Sequence, residues 1–274
     1  MDLQHRYDNR QGPGVSVNSN AVSPHVAVAS FASTGQPIAR RGWMAYERTQ
    51  RFVGNRKLLR RVTLGLFAQL ELIILRGHKD PAIVNAIRRC RRQSESLLTG
   101  NEAFFLYSVA RAQSVFDSAM AEVGVFEGSS ARIICEAKRE RPLHLFDTFA
   151  GMPEPSERES HYLKRGQYSA SLMRVRSLLR PYSAVHIHPG LFPASAVRVN
   201  ETRFSFVHID VDLYSSTLAT LEFFYPRMIP GGVILTHDYS TLPGVAQGFS
   251  DFFSNMPGAV IELPTSQAMF IVQS

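Results

Sequence analysis

The sequence predicts an α/β fold, a doubly wound and mostly parallel sheet preceded by a layer of helices. Three observations carry this reading. From about Ser118 onward, short apolar runs alternate with stretches of helical period. The chain has 274 residues, 45% hydrophobic and 19% charged, which is globular in composition and long enough to bury a proper core. The last two apolar runs, Ala259–Leu263 and Ala268–Val272, are separated only by Pro264-Thr265-Ser266, which suggests an antiparallel hairpin at one edge.

Taken in order, residues 11–39 carry no Asp, Glu, Lys or Arg and show no period, so 1–40 reads as a flexible arm. Residues 41–117 read as a helical lid or oligomerisation segment. Leu66, Phe67, Leu70, Ile73 and Ile74 fall on one helical face. Asp80-Pro81 has the form of an N-cap and an N1 proline. The helix it opens groups Ile83, Val84 and Ile87, with Arg88, Arg89, Arg91 and Arg92 largely outward. Asn101 is the expected cap of a third helix, with Phe105, Val109, Ala112 and Phe116 as its stripe. The α/β domain is 118–274. Its remaining strands are expected at Ala119–Phe126, Leu143–Phe146, Ala184–His188, Phe204–Ile209 and Val233–Thr236. Helices are expected over Ser130–Arg139, Tyr168–Arg180, Ser216–Tyr225 and Pro243–Phe253.

Composition excludes several function classes. Two cysteines, Cys90 and Cys135, cannot make a disulfide scaffold or a Cys-rich zinc module, and a cytoplasmic setting is expected. No run reaches the ~20 apolar residues of a membrane span; the best, Val62 to Leu75, is short and contains Gln69 and Glu71. The N-terminus MDLQHRYDNR lacks signal-peptide form. The net charge of +7 is uneven, since Arg40 to Arg92 holds 14 Lys or Arg against three acids. Such charge suits an anionic partner, nucleic acid or a membrane surface, or else a solvated helical face or a subunit contact; the second reading is favoured because no nucleic-acid motif accompanies it.

In such sheets ligands bind at the carboxyl ends of the strands, near the point where strand order reverses. The first strand runs into Glu122-Val-Gly124-Val-Phe-Glu-Gly128-Ser129-Ser130. Its glycines allow a tight turn and close approach, and Ser129 or Ser130 can cap the helix. This is not GxGxxG, and Glu122 suits a cationic ligand better than a diphosphate. Asp147, one strand-helix-strand later, can accept ribose hydroxyls, and Phe149 can lie against a base. Gly190, in His188-Pro189-Gly190-Leu191-Phe192-Pro193, permits close approach, although turn chemistry alone also explains it. Asp210 and Asp212 point the same way if their strand continues, and Asp238 arrives at the same end of a neighbouring strand. Three converging acids repel unless a cation compensates, so they suit a hard divalent metal or a cationic substrate. Caps and hydrogen-bonded loop acids are the plainer alternative. Tyr214 and Tyr239 read as packing residues at the end of the sheet.

The glycine turn from Glu122, FDTFAGMPEP at 146–155, PGLFP at 189–193, HIDVDLYSST at 208–217, FFYPRMIPGG at 223–232 and HDYS at 237–240 together resemble the macrocin O-methyltransferase family. The resemblance covers roughly 95–256 and implies a Rossmann-like seven-stranded sheet with a C-terminal hairpin. It implies S-adenosylmethionine bound by Glu122, Gly124, Gly128, Ser129, Ser130 and Asp147, with Thr148, Phe149, Gly190 and Asp210 beside them. It implies methyl transfer to a hydroxyl of a small molecule, a sugar or another natural product, in a protein expected to form homo-oligomers. A divalent metal, Mg²⁺ or Mn²⁺, would sit on Asp210, His237 and Asp238, with Asp212 as first candidate base and His237 as second.

One departure stands out. The family pattern has two adjacent Asp residues where this chain has His237-Asp238. Imidazole suits Mn²⁺, Fe²⁺ or Zn²⁺ better than Mg²⁺. Consecutive residues of an intact strand face opposite sides, so both reach one ion only if the strand has ended by Thr236. Competing activities leave clearer gaps. A nicotinamide oxidoreductase would need GxGxxG and a Tyr-Lys pair, and Leu218 stands four residues after Tyr214. A nucleic-acid methylase would show an Asn/Asp-Pro-Pro-Tyr motif or a recognisable RNA-binding module, whereas the altered His237 leaves an N-methyltransferase or a cofactor-binding fold without catalysis as the alternative reading.

Overall fold

A computed structural model describes residues 57–273 apart from 157–158 and 160–162. The expected arm at 1–40 and the first part of the helical segment lie outside these residues. Three helices come first, α1 (Lys57–Arg76), α2 (Pro81–Gln93) and α3 (Gly100–Gln113). Strand β1 (Ala119–Val123) follows, then α4 (Ser129–Ala137), β2 (Leu143–Asp147), α5 (Leu172–Leu179) and β3 (Val185–Pro189). A 3₁₀ turn (Ala194–Val199) leads to β4 (Phe204–Ile209), α6 (Tyr214–Phe224), β5 (Met228–Thr236) and α7 (Pro243–Phe253). The hairpin β6 (Ile261–Glu262) and β7 (Ala268–Ile271) closes the chain.

The seven strands lie in the order β3-β2-β1-β4-β5-β7-β6. Strands β1 to β5 pair in parallel, and β7 joins β5 antiparallel through Val233↔Ile271 to Thr236↔Ala268. The doubly wound sheet and the edge hairpin therefore form as the sequence predicts. Strand order reverses between β1 and β4, so their carboxyl ends frame the crevice where such sheets take ligands. Both faces of the sheet are covered. One core joins α1–α5 residues such as Leu72, Ile87, Leu106 and Ile133 to Met120 and Leu145. The other joins Phe224 and Phe249, from α6 and α7, to Ala121, Phe146 and Ile234.

Local chemistry sets the element ends. Asp80 accepts from Ala82 N at 2.8 Å, so the expected cap of α2 forms. Helix α3 is capped instead by Thr99 in a capping box with Glu102, not by Asn101. Glu71 of α1 also accepts from Gly100 N (2.6 Å) and Asn101 N (3.2 Å), tying the two helices. The buried stripe of α3 is Ala103, Leu106, Ala110 and Gln113 rather than the expected Phe105, Val109, Ala112 and Phe116. Small residues let α3 lie close to its neighbours, while the larger side chains fan out to the flanks. Tyr168 falls outside α5, with φ +59, because Ser171 caps that helix at Arg174 N. The fully buried Lys138 is satisfied by three carbonyls, of Arg139, Arg141 and Ser183, which fastens the loop before β2 to the start of β3. Among the described residues no helix is long and apolar enough to cross a membrane.

Candidate active site

A cleft opens at the carboxyl ends of β1, β2, β4 and β5. Its floor begins where β1 stops at Val123, earlier than the expected Phe126. Gly124 ends the strand with φ +89, and its N–H donates to Phe146 O at 2.9 Å. A Cβ at Gly124 would overlap the backbone carbonyl of Asp210, so no larger residue fits between β1 and β4. Ser129 and Ser130 open α4 and line the cleft. Neither caps that helix; Gly128, left-handed at φ +82, occupies the N-cap without a side-chain bond.

Asp147 lines the cleft at the end of β2, already heavily engaged. Its carboxylate accepts from Val125 N (2.7 Å), Phe126 N (2.8 Å) and Phe149 N (2.6 Å). It therefore fixes the turn after β1, and of the roughly four acceptor positions of a carboxylate three are taken. Thr148 also lines the cleft, with its hydroxyl on Gly151 O at 2.7 Å. Gly190 completes this side from the end of β3.

Three expected cofactor contacts stand elsewhere. Glu122 is fully buried within β1, where Oε1 pairs with His208 Nδ1 at 2.8 Å across the β1–β4 register. It is not among the cleft-lining residues. Burial pushes its pKa up, and His208 only partly offsets that. Phe149 packs against the core with φ +56 and is not among the cleft-lining residues. Gly128 faces Val175 and Leu178 of the α5 region, so its task is the left-handed turn rather than room for a ligand.

The acidic end of the cleft does assemble. Strand β4 stops at Ile209, so the alternation expected for Asp210 and Asp212 no longer applies. Asp212 instead reaches the cleft through a left-handed backbone at φ +60. Strand β5 stops at Thr236, and Asp238 turns with φ +57. The consecutive His237 and Asp238 consequently lie on the same side. Ligand atoms of Asp210, His237 and Asp238 all fall within 4.8 Å of one another. His237 Nδ1 is 3.0 Å from Asp238 Oδ2 and 3.5 Å from Asp210 Oδ1. Burial favours the neutral ring, but Asp238, Asp210 and Glu102 outweigh it and hold the His237 pKa well above that of free histidine. Burial likewise disfavours ionised Asp210, and the charges of His237 and His208 overcome it, lowering the Asp210 pKa.

Sequence reading missed three contributors. Residues Glu95 to Leu98, between α2 and α3, form one wall of the cleft. Glu159 caps α6 from a distant loop by accepting from Tyr214 N at 2.8 Å. Glu102 lies under His237, with Oε2 3.4 Å from Nε2. Only Glu102 left a signal, as the acid three residues after Thr99.

The family model for macrocin-O-methyltransferase (TylF) matches residues 108–260. The chain is 30% identical over 138 residues to the 8-demethyl-8-(2,3-dimethoxy-alpha-L-rhamnosyl)-tetracenomycin-C 4'-O-methyltransferase of Streptomyces olivaceus, a match covering 44% of this chain and 52% of that protein. It is 27% identical over 140 residues to the demethyldecarbamoylnovobiocin O-methyltransferase of Streptomyces niveus, covering 45% and 53%. The chain thus spans about half the length of these curated relatives. Among solved structures, the O-methyltransferase NovP superposes with a TM-score of 0.55 at 19% identity, covering 65% of this chain and 82% of that one. A calicheamicin methyltransferase gives 0.55 at 16% identity, covering 71% and 94%. These two share the fold. With more than half of its residues matched by the family model, the chain belongs to the macrocin-O-methyltransferase family.

Proposed function

We propose that this protein is an S-adenosylmethionine-dependent methyltransferase acting on a hydroxyl of a small molecule, a sugar or another natural-product acceptor. The observation that carries the reading is the cleft itself. A backbone turn that tolerates only Gly124 stands at one end, and Asp210, Asp212, His237 and Asp238 stand at the other. The family membership and the named reactions of the two Streptomyces relatives support the same chemistry.

In this reading the turn after β1 and the N-terminus of α4, with Ser129 and Ser130, hold the amino-acid part of the donor. Asp147 has one acceptor position left and takes a single ribose hydroxyl rather than two. The sulfonium is already activated, so the protein mainly positions donor and acceptor in line. Asp212 takes the proton of the acceptor hydroxyl, and His237 is the second candidate for that role. Asp210, His237 and Asp238 fit a divalent ion by their mutual spacing, and two carboxylates with one imidazole suit Mn²⁺ better than Mg²⁺. Such an ion, when bound, lowers the pKa of a hydroxyl that it holds.

Two further readings belong here. The outward apolar stripe of α1 supports a homo-oligomer. The free, buried Cys90 and Cys135 suit a reducing compartment, and we place the reaction in the cytoplasm.

Titration of the full chain with S-adenosylhomocysteine by calorimetry tests the core of the proposal. Saturable one-site binding that is lost in Gly124→Val is the expected result. No heat from the wild-type protein across a millimolar titration overturns it.

A further inference from the structure

A second concavity lies at the β3 edge of the sheet, with β1 between its strands and those that carry the acidic cluster. It is a groove of about 670 Å³, within the roughly 300–1,000 Å³ of small-molecule sites. Arg176 and Arg180 line it from α5 and its C-cap, Arg198 from the 3₁₀ turn, His144 from β2, and His186 and His188 from β3. No Asp or Glu is among its lining residues. Arg176 and Arg180 stand four residues apart, so the helix sets them on one face. Among the described residues none of the three guanidiniums has an ion pair or a hydrogen bond. Other arginines nearby are engaged: Arg174 pairs with Glu127 at 3.8 Å, and Arg227 donates to Asn200 O and Phe223 O. One cation near a helix C-terminus answers the helix dipole. Three unpaired guanidiniums from two elements, gathered with three imidazoles in one concavity, exceed that need.

The imidazoles do not make a metal site. His144 stacks on His186 at 4.9 Å and on His188 at 5.3 Å, with ring planes 20° and 24° apart. Stacked rings do not converge on a point, and among the described residues only Asp210, His237 and Asp238 bring three ligand atoms within 4.8 Å of one another. His144 Nδ1 lies 3.1 Å from His188 Nε2, so one proton sits between the two rings. Burial is the main reason that His144 and His188 resist protonation, and repulsion from His186 adds to it at both. The groove therefore holds positive charge that nothing inside it offsets.

We propose that this groove binds a small molecule through a diphosphate group. Guanidinium forks meet phosphoryl oxygens two at a time. One phosphate monoester carries about −1.5 to −2, less than the three fixed positive charges, and two linked phosphoryl groups come closer to balance. The imidazoles add N–H donors, and the volume leaves room for an organic portion beside the anion. The basic residues are gathered in one concavity, whereas a nucleic-acid backbone needs a track of positive charge. This inference does not depend on the methyl-transfer reading.

The test is calorimetry of the full chain with inorganic pyrophosphate in metal-free buffer. Saturable one-site binding at about millimolar concentration or below is expected, with inorganic phosphate weaker by about 10-fold or more. Arg176→Gln combined with Arg180→Gln should weaken pyrophosphate binding by about 10-fold or more. Arg198→Gln, on a different element, should weaken it several-fold. Arg174→Gln, which removes the paired arginine of the same helix, should leave it as in the wild type. No saturable binding by the wild-type protein overturns the proposal, whether or not the variants fold. Equal affinity for phosphate and pyrophosphate, unchanged binding in a folded double variant, or an equal loss in Arg174→Gln overturns it as well. A short single-stranded RNA that displaces pyrophosphate from the wild-type protein would overturn it by assigning the groove to nucleic acid.

Discussion

Two glycines that look equivalent in the sequence differ in what replaces them. At Gly124 an added Cβ would overlap the Asp210 carbonyl, which is backbone and cannot move aside without separating β1 from β4. At Gly128 the same Cβ would meet the Leu178 and Val175 side chains at 3.2 and 3.4 Å, contacts that can relax. Gly124→Ala is therefore expected to weaken S-adenosylhomocysteine binding at least 100-fold by calorimetry. Gly128→Ala bears only the strain of a left-handed backbone, about 1–2 kcal/mol, read as a lower melting temperature with binding within a few-fold of wild type. Equal losses of binding in both would contradict this ranking. Asp212 separates binding from chemistry in the opposite sense. Asp212→Asn keeps the shape of the cleft and removes the base, so donor affinity should stay close to wild type while turnover falls by about 10²-fold or more. Stopped assays of methyl transfer to an acceptor with a free hydroxyl measure this, and unchanged turnover would transfer the role to His237.

Edge elements carry the clearest pH signature. His144 of β2 pairs in register with His186 of β3, and its ring stacks on those of His186 at 4.9 Å and His188 at 5.3 Å. Burial, aided by repulsion from the two neighbours, pushes the His144 pKa down to about 4. Burial, together with His186 and Arg198, lowers that of His188 in the same direction. Between the ordinary histidine value of about 6.5 and about 4, the unfolded chain binds a proton that the folded chain refuses. Stability should therefore be complete above pH 6.5 and decline as pH falls through that window. Urea midpoints measured at pH 7.5 and pH 5 test this, and His144→Gln should flatten the difference; an unchanged slope would place the acid sensitivity elsewhere. Most of these elements were legible in the sequence, because alternating runs bounded by turns specify strands and helices locally. Their ends were less so. Gly124, Asp212 and Asp238 all turn through left-handed backbone, and that choice depends on tertiary contacts. The same limit hid the environments of Glu122 and Phe149, since the β1–β4 register decides that Glu122 faces His208, and core packing draws Phe149 away from the cleft.

At the scale of the whole molecule, the helical layer leaves a surface that stands exposed among the described residues. Val62, Leu66, Phe67, Leu70, Ile73 and Ile74 of α1 are each at least half exposed. The sequence groups five of these six on one face, and an amphipathic reading would turn that face inward. In the fold, Ala68, Leu72 and Leu75 face the core instead, and the larger stripe points outward. Six such side chains offer on the order of 600 Å² per copy, or about 1,200 Å² across a two-fold contact, above the roughly 1,000 Å² of a specific interface. The stripe carries no charge of its own, so two copies meet without repulsion at its centre, although the chain as a whole is +7. We therefore expect a dimer with α1 packed on α1. Light scattering after gel filtration should give twice the chain mass at micromolar concentration. Leu66→Gln combined with Leu70→Gln should give the single-chain mass, with little change in thermal melting of the monomer, because neither side chain belongs to the core. A wild-type protein that runs as a monomer would mean that α1 does not pair with a second α1, and a dimer that survives the double substitution would place the contact on a different face.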